Sequence, residues 1–146
     1  MAIELLNQPQ SKLADAHPRR TILIVDDDEA LAEVLAYRLT QQGFETLSTG
    51  LGKRGLALAR SERPDLIILD LRLPDVEGFT VCQELADSPR TCNIPVLILS
   101  GMERPDIVRR SRLAGCCYFV RKPYDPNALL VLIRQALAES ENWGPT

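Results

Sequence analysis

Short apolar runs alternate along the chain with segments in which hydrophobic residues recur at helical spacing. Most of the runs contain no polar residue at alternate positions, a pattern typical of parallel strands that are buried on both faces. Thr21 to Val25 is the first such run, and a shorter, more polar segment follows the first helical pattern. The runs predict strands at 21–25, 45–48, 66–70, 94–100 and 117–120.

The segments between the runs have the spacing and the end signals of amphipathic helices. In the first of them Leu31, Val34, Leu35 and Leu39 recur at helical spacing, and Gly43 ends the pattern. Parallel strands need crossover connections, and right-handed crossovers place helices on both faces of the sheet. The sequence therefore predicts a doubly wound α/β domain with helices at 29–42, 53–60, 79–86, 106–114 and 127–140.

The periodic pattern covers most of the chain of 146 residues, a length typical of one domain. Residues 1–19 show no clean period and are predicted to be an N-terminal extension. We expect the domain at 20–140 and a short tail at 141–146.

Charge and cysteine usage narrow the classes of function. Seventeen Lys and Arg against 20 Asp and Glu give a net charge of −3, which disfavours direct nucleic-acid binding by this chain. The four cysteines form no CxxC motif and the one histidine lies far from them, so a zinc site is not expected. The sequence shows no secretory signal and no membrane-spanning run. We expect a cytoplasmic protein with reduced thiols.

Polar residues gather where the predicted strands end. Three aspartates at 26–28 follow the first strand, Asp70 ends the third, Ser100 ends the fourth and Lys122 follows the fifth. In doubly wound folds ligands bind beyond these carboxyl ends. Clustered carboxylates repel one another, so the pattern predicts a hard cation such as Mg²⁺. A simpler alternative is that the aspartates at 26–28 only cap the first helix.

Phosphoryl transfer is the chemistry that best fits this set of groups. A carboxylate that attacks a phosphoryl donor forms an acyl phosphate, and the reaction needs neutralisation of charge more than it needs a base. Asp70 is then the nucleophile, and Mg²⁺ and Lys122 supply positive charge. The Ser100 hydroxyl would contact a phosphate oxygen and sense the modification. The alternative for Lys122 is an ordinary solvated loop lysine.

Together these motifs resemble the receiver domain of two-component response regulators. The matching segments are Val25-Asp26-Asp27, the stretch from Asp70 through Leu73-Pro74 to Glu77-Gly78, Ser100-Gly101 and Lys122-Pro123. The resemblance covers about residues 21–140. It implies a flavodoxin-like five-stranded parallel sheet of order 2-1-3-4-5 flanked by five helices.

The resemblance also implies a role for each site residue. Asp27 would bind Mg²⁺, or Mn²⁺ in its place, directly, and Asp26 would bind it through water. Asp70 would be both the phosphorylation site and a metal ligand, and the backbone carbonyl of Arg72 a further ligand. Lys122 would pair with the phosphoryl oxygens.

Three further features follow from the resemblance. The peptide bond between Lys122 and Pro123 is expected to be cis, and Asp28 is expected to cap the first helix. Switching would couple Ser100 to an aromatic residue, here Phe119, whose alternative role is plain core packing.

The implied function is a phospho-acceptor switch and not an enzyme that acts on external substrates. A sensor histidine kinase or a phosphotransfer protein would supply the phosphoryl group. The output surface would combine the helix at 106–114, the fifth strand and the last helix, and would bind a downstream protein or a second copy of the chain. Arg109, Arg110 and Arg112 lie on it, with a solvated basic face as the alternative.

Other classes of function fit the sequence less well. A flavodoxin-like electron carrier needs a phosphate-binding loop after the first strand, where the three aspartates would repel the phosphate. A phosphatase of the aspartyl-phosphate type needs an acid where Arg72 stands. Two alternatives stay open, namely a receiver-like binding module that acts without phosphorylation and the N-terminal fragment of a longer DNA-binding regulator.

Overall fold

A computed structural model describes residues 19–101, 109 and 118–142. The strands are β1 (Thr21–Val25), β2 (Glu45–Thr49), β3 (Leu66–Asp70), β4 (Val96–Ser100) and β5 (Tyr118–Arg121). The helices in the described part of the chain are α1 (Glu29–Gln41), α2 (Gly52–Glu62), α3 (Gly78–Asp87) and α4 (Pro126–Asn142).

The five strands form one parallel sheet in the order β2-β1-β3-β4-β5. This confirms the predicted doubly wound topology. The order changes direction between β1 and β3, which pair from Ile22 with Leu66 to Val25 with Leu69. The loops after these two strands therefore lie next to each other at the switch point, where such sheets bind their ligands.

In the described part of the chain, a pair of helices packs on each face of the sheet. Leu56 of α2 and Leu85 of α3 pack with Ile67 and Ile98 on one face. On the other face, the apolar sides of α1 and α4 pack against Ile24, Ile68 and Leu97. Because both faces are covered, β1, β3 and β4 are apolar at nearly every position, and their polar residues fall at the strand ends.

Most element boundaries agree with the sequence prediction within two residues. β4 begins at Val96 instead of residue 94, because Pro95 has no N–H to give to the ladder and contributes only its carbonyl, to Ile67. β2 extends one residue further than predicted, to Thr49, whose side chain is buried. The predicted helix at 106–114 lies outside the described residues except for Arg109, which is exposed.

The expectation of reduced thiols is wrong at one position. Cys82, on the buried side of α3, is disulfide-bonded. The exposed Cys92 is a free thiol. Outside the described part of the chain also lie Cys116, Cys117, residues 1–18 of the predicted extension and residues 143–146. None of the described helices has the length and apolar character needed to span a membrane.

Candidate functional site

The candidate site lies at the carboxyl edge of the sheet, where the loops after β1, β3 and β5 meet. Asp26 and Asp70 continue the period-two alternation of Ile24 and Ile68, so their side chains lie on the face that α1 and α4 cover. Lys122 directly follows β5 and approaches both carboxylates. The sheet register thus brings together residues that are far apart in the sequence.

Lys122 bridges the two buried carboxylates. Its Nζ donates to Asp26 Oδ2 at 3.0 Å and to Asp70 Oδ2 at 3.1 Å. The two aspartates are only 5% and 7% exposed. An ion pair held this far from water is screened little by salt, so these contacts fix the position of the lysine more firmly than a surface pair would.

Backbone N–H groups hold the other oxygen of each carboxylate. Asp28 N donates to Asp26 Oδ1 at 3.0 Å, and Arg72 N donates to Asp70 Oδ1 at 3.1 Å. Asp28 turns its own carboxylate to the start of α1 and accepts from Leu31 N at 3.1 Å, which confirms the predicted helix cap. Asp28 therefore serves the helix, and the adjacent aspartates face the site.

Asp26, Asp27 and Asp70 form an acidic group whose nearest carboxylate oxygens lie within 4.8 Å of one another. Asp27 is exposed, so the group opens to solvent on that side. Three carboxylates against the single ammonium of Lys122 leave an excess of two negative charges at this edge. Oxygen donors with this excess of charge fit a hard divalent cation.

The titration behaviour of the site reflects burial and close charges. Burial raises the pKa of Asp70 above its ordinary value of 3.8, against the hydrogen bond from Arg72 N and the contact with Lys122, which lower it; the charge of Asp26 raises it further. Burial alone would lower the pKa of Lys122, but its hydrogen bonds to Asp26 and Asp70 outweigh that effect and raise it. The lysine therefore stays charged, and the Asp70 carboxylate gains from any further cation nearby.

The close approach of α3 to the end of β3 explains why residue 78 is a glycine. Its N–H donates to the carbonyl of Leu71 at 3.0 Å, which closes the loop that begins after Asp70. A Cβ atom at this position would lie 2.6 Å from Leu71 Cα and 2.8 Å from the Asp70 carbonyl oxygen. The first turn of α3 can therefore approach the end of β3 only without a side chain here.

The segment after β5 has the predicted cis peptide bond between Lys122 and Pro123. Lys122 N donates to the Ser100 carbonyl at 2.8 Å, which ties this segment to the end of β4. Ser100 is 1% exposed, and Phe119 pairs with Ile98 and packs on the face covered by α2 and α3. Alternation along β4 places Ser100 on that same face, while their switching role stays a prediction.

The loop between β2 and α2 belongs to the site, although no motif in the sequence predicted it. The Thr49 carbonyl accepts from Asp26 N at 3.0 Å, and a Cβ on Gly50 would lie 3.3 Å from Asp27 Cα. One feature of the sequence could have indicated this loop, namely the polar Thr49 at the end of β2, one position beyond the predicted end of that strand. Arg72, by contrast, has an exposed side chain and contacts the site through its backbone N–H.

A doubly wound parallel sheet with an acidic group and a lysine at its switch point defines a small class of α/β domains. The family model of the response regulator receiver domain matches residues 22–134. The chain therefore belongs to the response regulator receiver domain family, as the resemblance in the sequence implied.

Relatives of known name agree with this assignment. The DNA-binding dual master transcriptional regulator RpaA of Synechocystis sp. is 38% identical over 120 residues, which are 82% of this chain and 50% of RpaA. The DNA-binding response regulator MtrA of Mycolicibacterium smegmatis is 38% identical over 125 residues, 85% of this chain and 53% of MtrA. The chain thus spans about half the length of these relatives.

Solved structures show the same fold. A CheY-like response regulator receiver domain protein from Methanospirillum hungatei superposes with a TM-score of 0.82 and 28% identity, covering 86% of this chain and 99% of that one. A second structure, described as a putative response regulator from Chloroflexus aurantiacus, has a TM-score of 0.78 and 31% identity, with 82% and 98% covered. The chain is homologous to two-component response regulators.

Proposed function

We propose that this receiver domain accepts a phosphoryl group on Asp70 in a reaction that depends on Mg²⁺. The observation that carries the proposal is the arrangement of Asp26, Asp27 and Asp70, whose carboxylate oxygens lie within 4.8 Å of one another beside the ammonium of Lys122. This arrangement provides a nucleophile, a place for a divalent cation and a fixed positive charge.

The oxygen donors at the site suit Mg²⁺, and Mn²⁺ is the alternative with the same preference for oxygen. The exposed Asp27 would bind the ion directly, Asp26 through water, and Asp70 through a carboxylate oxygen. The backbone carbonyl of Arg72 completes the proposed set of protein ligands. When bound, the cation supplies positive charge to the oxygens of the phosphoryl group in transfer.

The residues of the chain account for the rest of the transfer. Asp70 Oδ1 is held by Arg72 N, whereas Oδ2 faces Lys122. In the proposed step an Asp70 oxygen forms a bond to phosphorus as the bond from phosphorus to the donor's histidine nitrogen breaks. The Lys122 ammonium, already 3.1 Å from Asp70 Oδ2, neutralises charge on the new acyl phosphate.

The proposed donor is the phosphohistidine of a sensor kinase or of a phosphotransfer protein. Such donors act in the cytoplasm, which is where we propose that this chain works. The chain modifies only itself in this reaction and turns over no external substrate.

Output would follow from coupling between the acceptor site and β5. Ser100, at the end of β4, and Phe119, in the neighbouring strand, share one face of the sheet, so a hydroxyl drawn toward the phosphoryl group would open space beside the ring. The proposed output surface consists of the segment at 106–114, β5 and α4, with a downstream protein or a second copy of the chain as partner. Of the basic residues predicted on this surface, the described Arg109 is exposed.

The relatives leave the longer context of this domain open to test. RpaA and MtrA are named as DNA-binding proteins, and this chain covers about half of each. We propose that this segment itself makes no contact with nucleic acid, because its net charge is −3. A role as the N-terminal part of a longer DNA-binding regulator is compatible with that proposal.

Intact-mass measurement after incubation with acetyl phosphate tests the proposed function. We expect the parent to gain one phosphoryl group in the presence of Mg²⁺ and none in EDTA, with the group released by hydroxylamine. Asp70→Asn should gain none, and Asp65→Asn, which changes an aspartate far from the site, should behave as the parent. A folded parent that gains no group under any condition would point to a binding module that acts without phosphorylation.

A further inference from the structure

Asp75 makes a long-range contact that the phosphorylation chemistry does not use. It lies in the loop between β3 and α3, and its two carboxylate oxygens accept from Gly52 N at 2.8 Å and from Lys53 N at 3.0 Å. These N–H groups belong to the first turn of α2, where Leu51 at the N-cap position provides no side-chain hydrogen bond. Asp75 therefore caps a helix that begins 23 residues before it.

The first turn of α2 carries positive charges, and the Asp75 carboxylate offsets them. The first turn of α2 contains Lys53 and Arg54 and no acidic residue, although the positive end of a helix dipole favours negative charge. The carboxylate of Asp75 supplies that charge from the neighbouring loop. Its hydrogen bonds from Lys53 N and Gly52 N also hold the pKa of Asp75 below its ordinary value of 3.8.

Close packing reinforces the contact between the loop and α2. Gly52 is buried, and a Cβ on it would lie 3.1 Å from Leu73 Cδ1, 3.1 Å from Val76 Cγ2 and 3.0 Å from Val81 Cγ2. Side chains on both sides of Asp75 in the loop thus rest directly on the first turn of α2. The loop cannot move toward the helix, and the Asp75 hydrogen bonds oppose movement away from it.

The same end of α2 also touches the acidic group. The segment that leads into the helix contains Thr49, whose carbonyl accepts from Asp26 N at 3.0 Å, and Gly50, whose Cβ position is 3.3 Å from Asp27 Cα. Asp75 lies five residues after Asp70 in the loop that also contains Arg72. The loops after β1 and β2 are therefore in contact, and Asp75 connects the start of α2 to the loop after β3.

From this geometry we propose that Asp75 is a positioning residue for the acceptor site. By fixing the loop after β3 to the start of α2, it holds Arg72 and Asp70 at the correct distance from Asp26 and Asp27. The inference rests on the proposed function, since it concerns how well the same group of residues binds Mg²⁺.

The test compares the Mg²⁺ requirement of Asp75→Ala, Asp75→Asn and the parent. Phosphorylation by acetyl phosphate is followed over a range of Mg²⁺ concentrations, and Mg²⁺ affinity is measured independently by titration calorimetry. We expect the half-maximal Mg²⁺ concentration of Asp75→Ala to rise about 3- to 10-fold, which is up to the lower end of the effect of removing a group hydrogen-bonded to a metal ligand, because Asp75 acts through the loop. Asp75→Asn retains one acceptor oxygen, so its value should lie in between.

Asp65→Ala is the matched control. Asp65 Oδ2 accepts from Thr21 N at 2.8 Å, so this variant also removes an exposed aspartate that accepts from a backbone N–H, but at the opposite edge of the sheet. If the Asp75 contact only stabilised the fold, both alanine variants would have a lower unfolding midpoint, and both would keep the Mg²⁺ midpoint of the parent. That result would overturn the inference.

The outcomes for the parent separate this inference from the proposed function. A parent that neither binds Mg²⁺ nor becomes phosphorylated contradicts both. A parent that does both, with an unchanged Mg²⁺ midpoint in the Asp75 variants, contradicts only the positioning role. If Asp75→Ala does not fold, the Asp75→Asn titration decides the question on its own.

Discussion

Asp70 is placed where the protein needs its charge, at a cost to the stability of the fold. Its carboxylate is 7% exposed, and burial raises its pKa, as does the nearby charge of Asp26. Hydrogen bonds from Arg72 N and Lys122 offset only part of this effect. The fold thus keeps a reactive carboxylate at a buried strand end, although burial disfavours its charged form.

Removal of this charge should stabilise the protein in the absence of metal. We expect Asp70→Asn to exceed the parent by about 1 kcal/mol in free energy of unfolding, measured with urea at neutral pH in EDTA, because the variant has no charge to desolvate at residue 70 and Lys122 keeps its contact with Asp26. The raised pKa means that the folded state retains its proton to higher pH than the unfolded chain does. The buried charge therefore lowers the free energy of unfolding of the parent by its full amount only above the folded pKa. The difference in free energy of unfolding between the two proteins should narrow as the pH falls through that pKa toward the ordinary value of 3.8.

The substitution that removes the charge of Asp70 has a simple control at the far edge of the sheet. Asp65→Asn removes one carboxylate charge where the side chain accepts a single hydrogen bond from Thr21 N. It should not stabilise the protein at neutral pH. A parent that is as stable as Asp70→Asn across the whole pH range would show that the buried charge carries no cost.

At the scale of elements, the contact between β3 and α3 depends on Gly78. A Cβ there would fall 2.6 Å from Leu71 Cα and 2.8 Å from the Asp70 carbonyl, and both are backbone atoms that cannot turn aside. We expect Gly78→Ala to lower the free energy of unfolding by about 1 to 3 kcal/mol, because the loop must shift. Urea unfolding measures the loss.

Gly101→Ala is the control for that substitution. A Cβ at Gly101 would have no heavy atom of the described residues within 4 Å, so the change adds a methyl group without a clash against them. Its unfolding midpoint should stay near that of the parent. Equal losses in the two variants would show that the effect comes from the loss of glycine in general and not from the close approach to β3.

Most of the elements could be predicted because the short, wholly apolar runs of the buried strands contrast with the helical spacing of hydrophobic residues in the segments between them. β1 and β3 begin and end at the predicted residues, and the sheet order follows from the family resemblance. The errors have local causes. Pro95 cannot donate to the ladder, and α2 starts at Gly52 because its first N–H groups are capped from another loop.

At the scale of the whole molecule, the sequence could predict which residues meet but not how each is held. Parallel strands align their carboxyl ends, so the group of Asp26, Asp27 and Asp70 with Lys122 follows from position alone. The contact of Gly50 with Asp27 depends on packing between loops, and no local pattern signals it. The caps at Asp28 and Asp75 illustrate the difference, since one lies three residues from its donor and the other 23 and 22 residues.

The central claim is that these strand-end carboxylates act as one unit that binds a divalent cation and thereby makes Asp70 reactive. The most direct measurement is the initial rate of phosphorylation by acetyl phosphate as a function of Mg²⁺ concentration, in the parent, Asp27→Asn and Asp28→Asn. The last variant is matched in charge and adjacent in sequence, but Asp28 caps α1, and asparagine caps a helix equally well.

We expect Asp27→Asn to need at least about ten times more Mg²⁺ than the parent for its half-maximal rate, because it loses a direct ligand. Asp28→Asn should follow the curve of the parent. Identical curves for all three proteins, or phosphorylation that proceeds equally well in EDTA, would contradict the account.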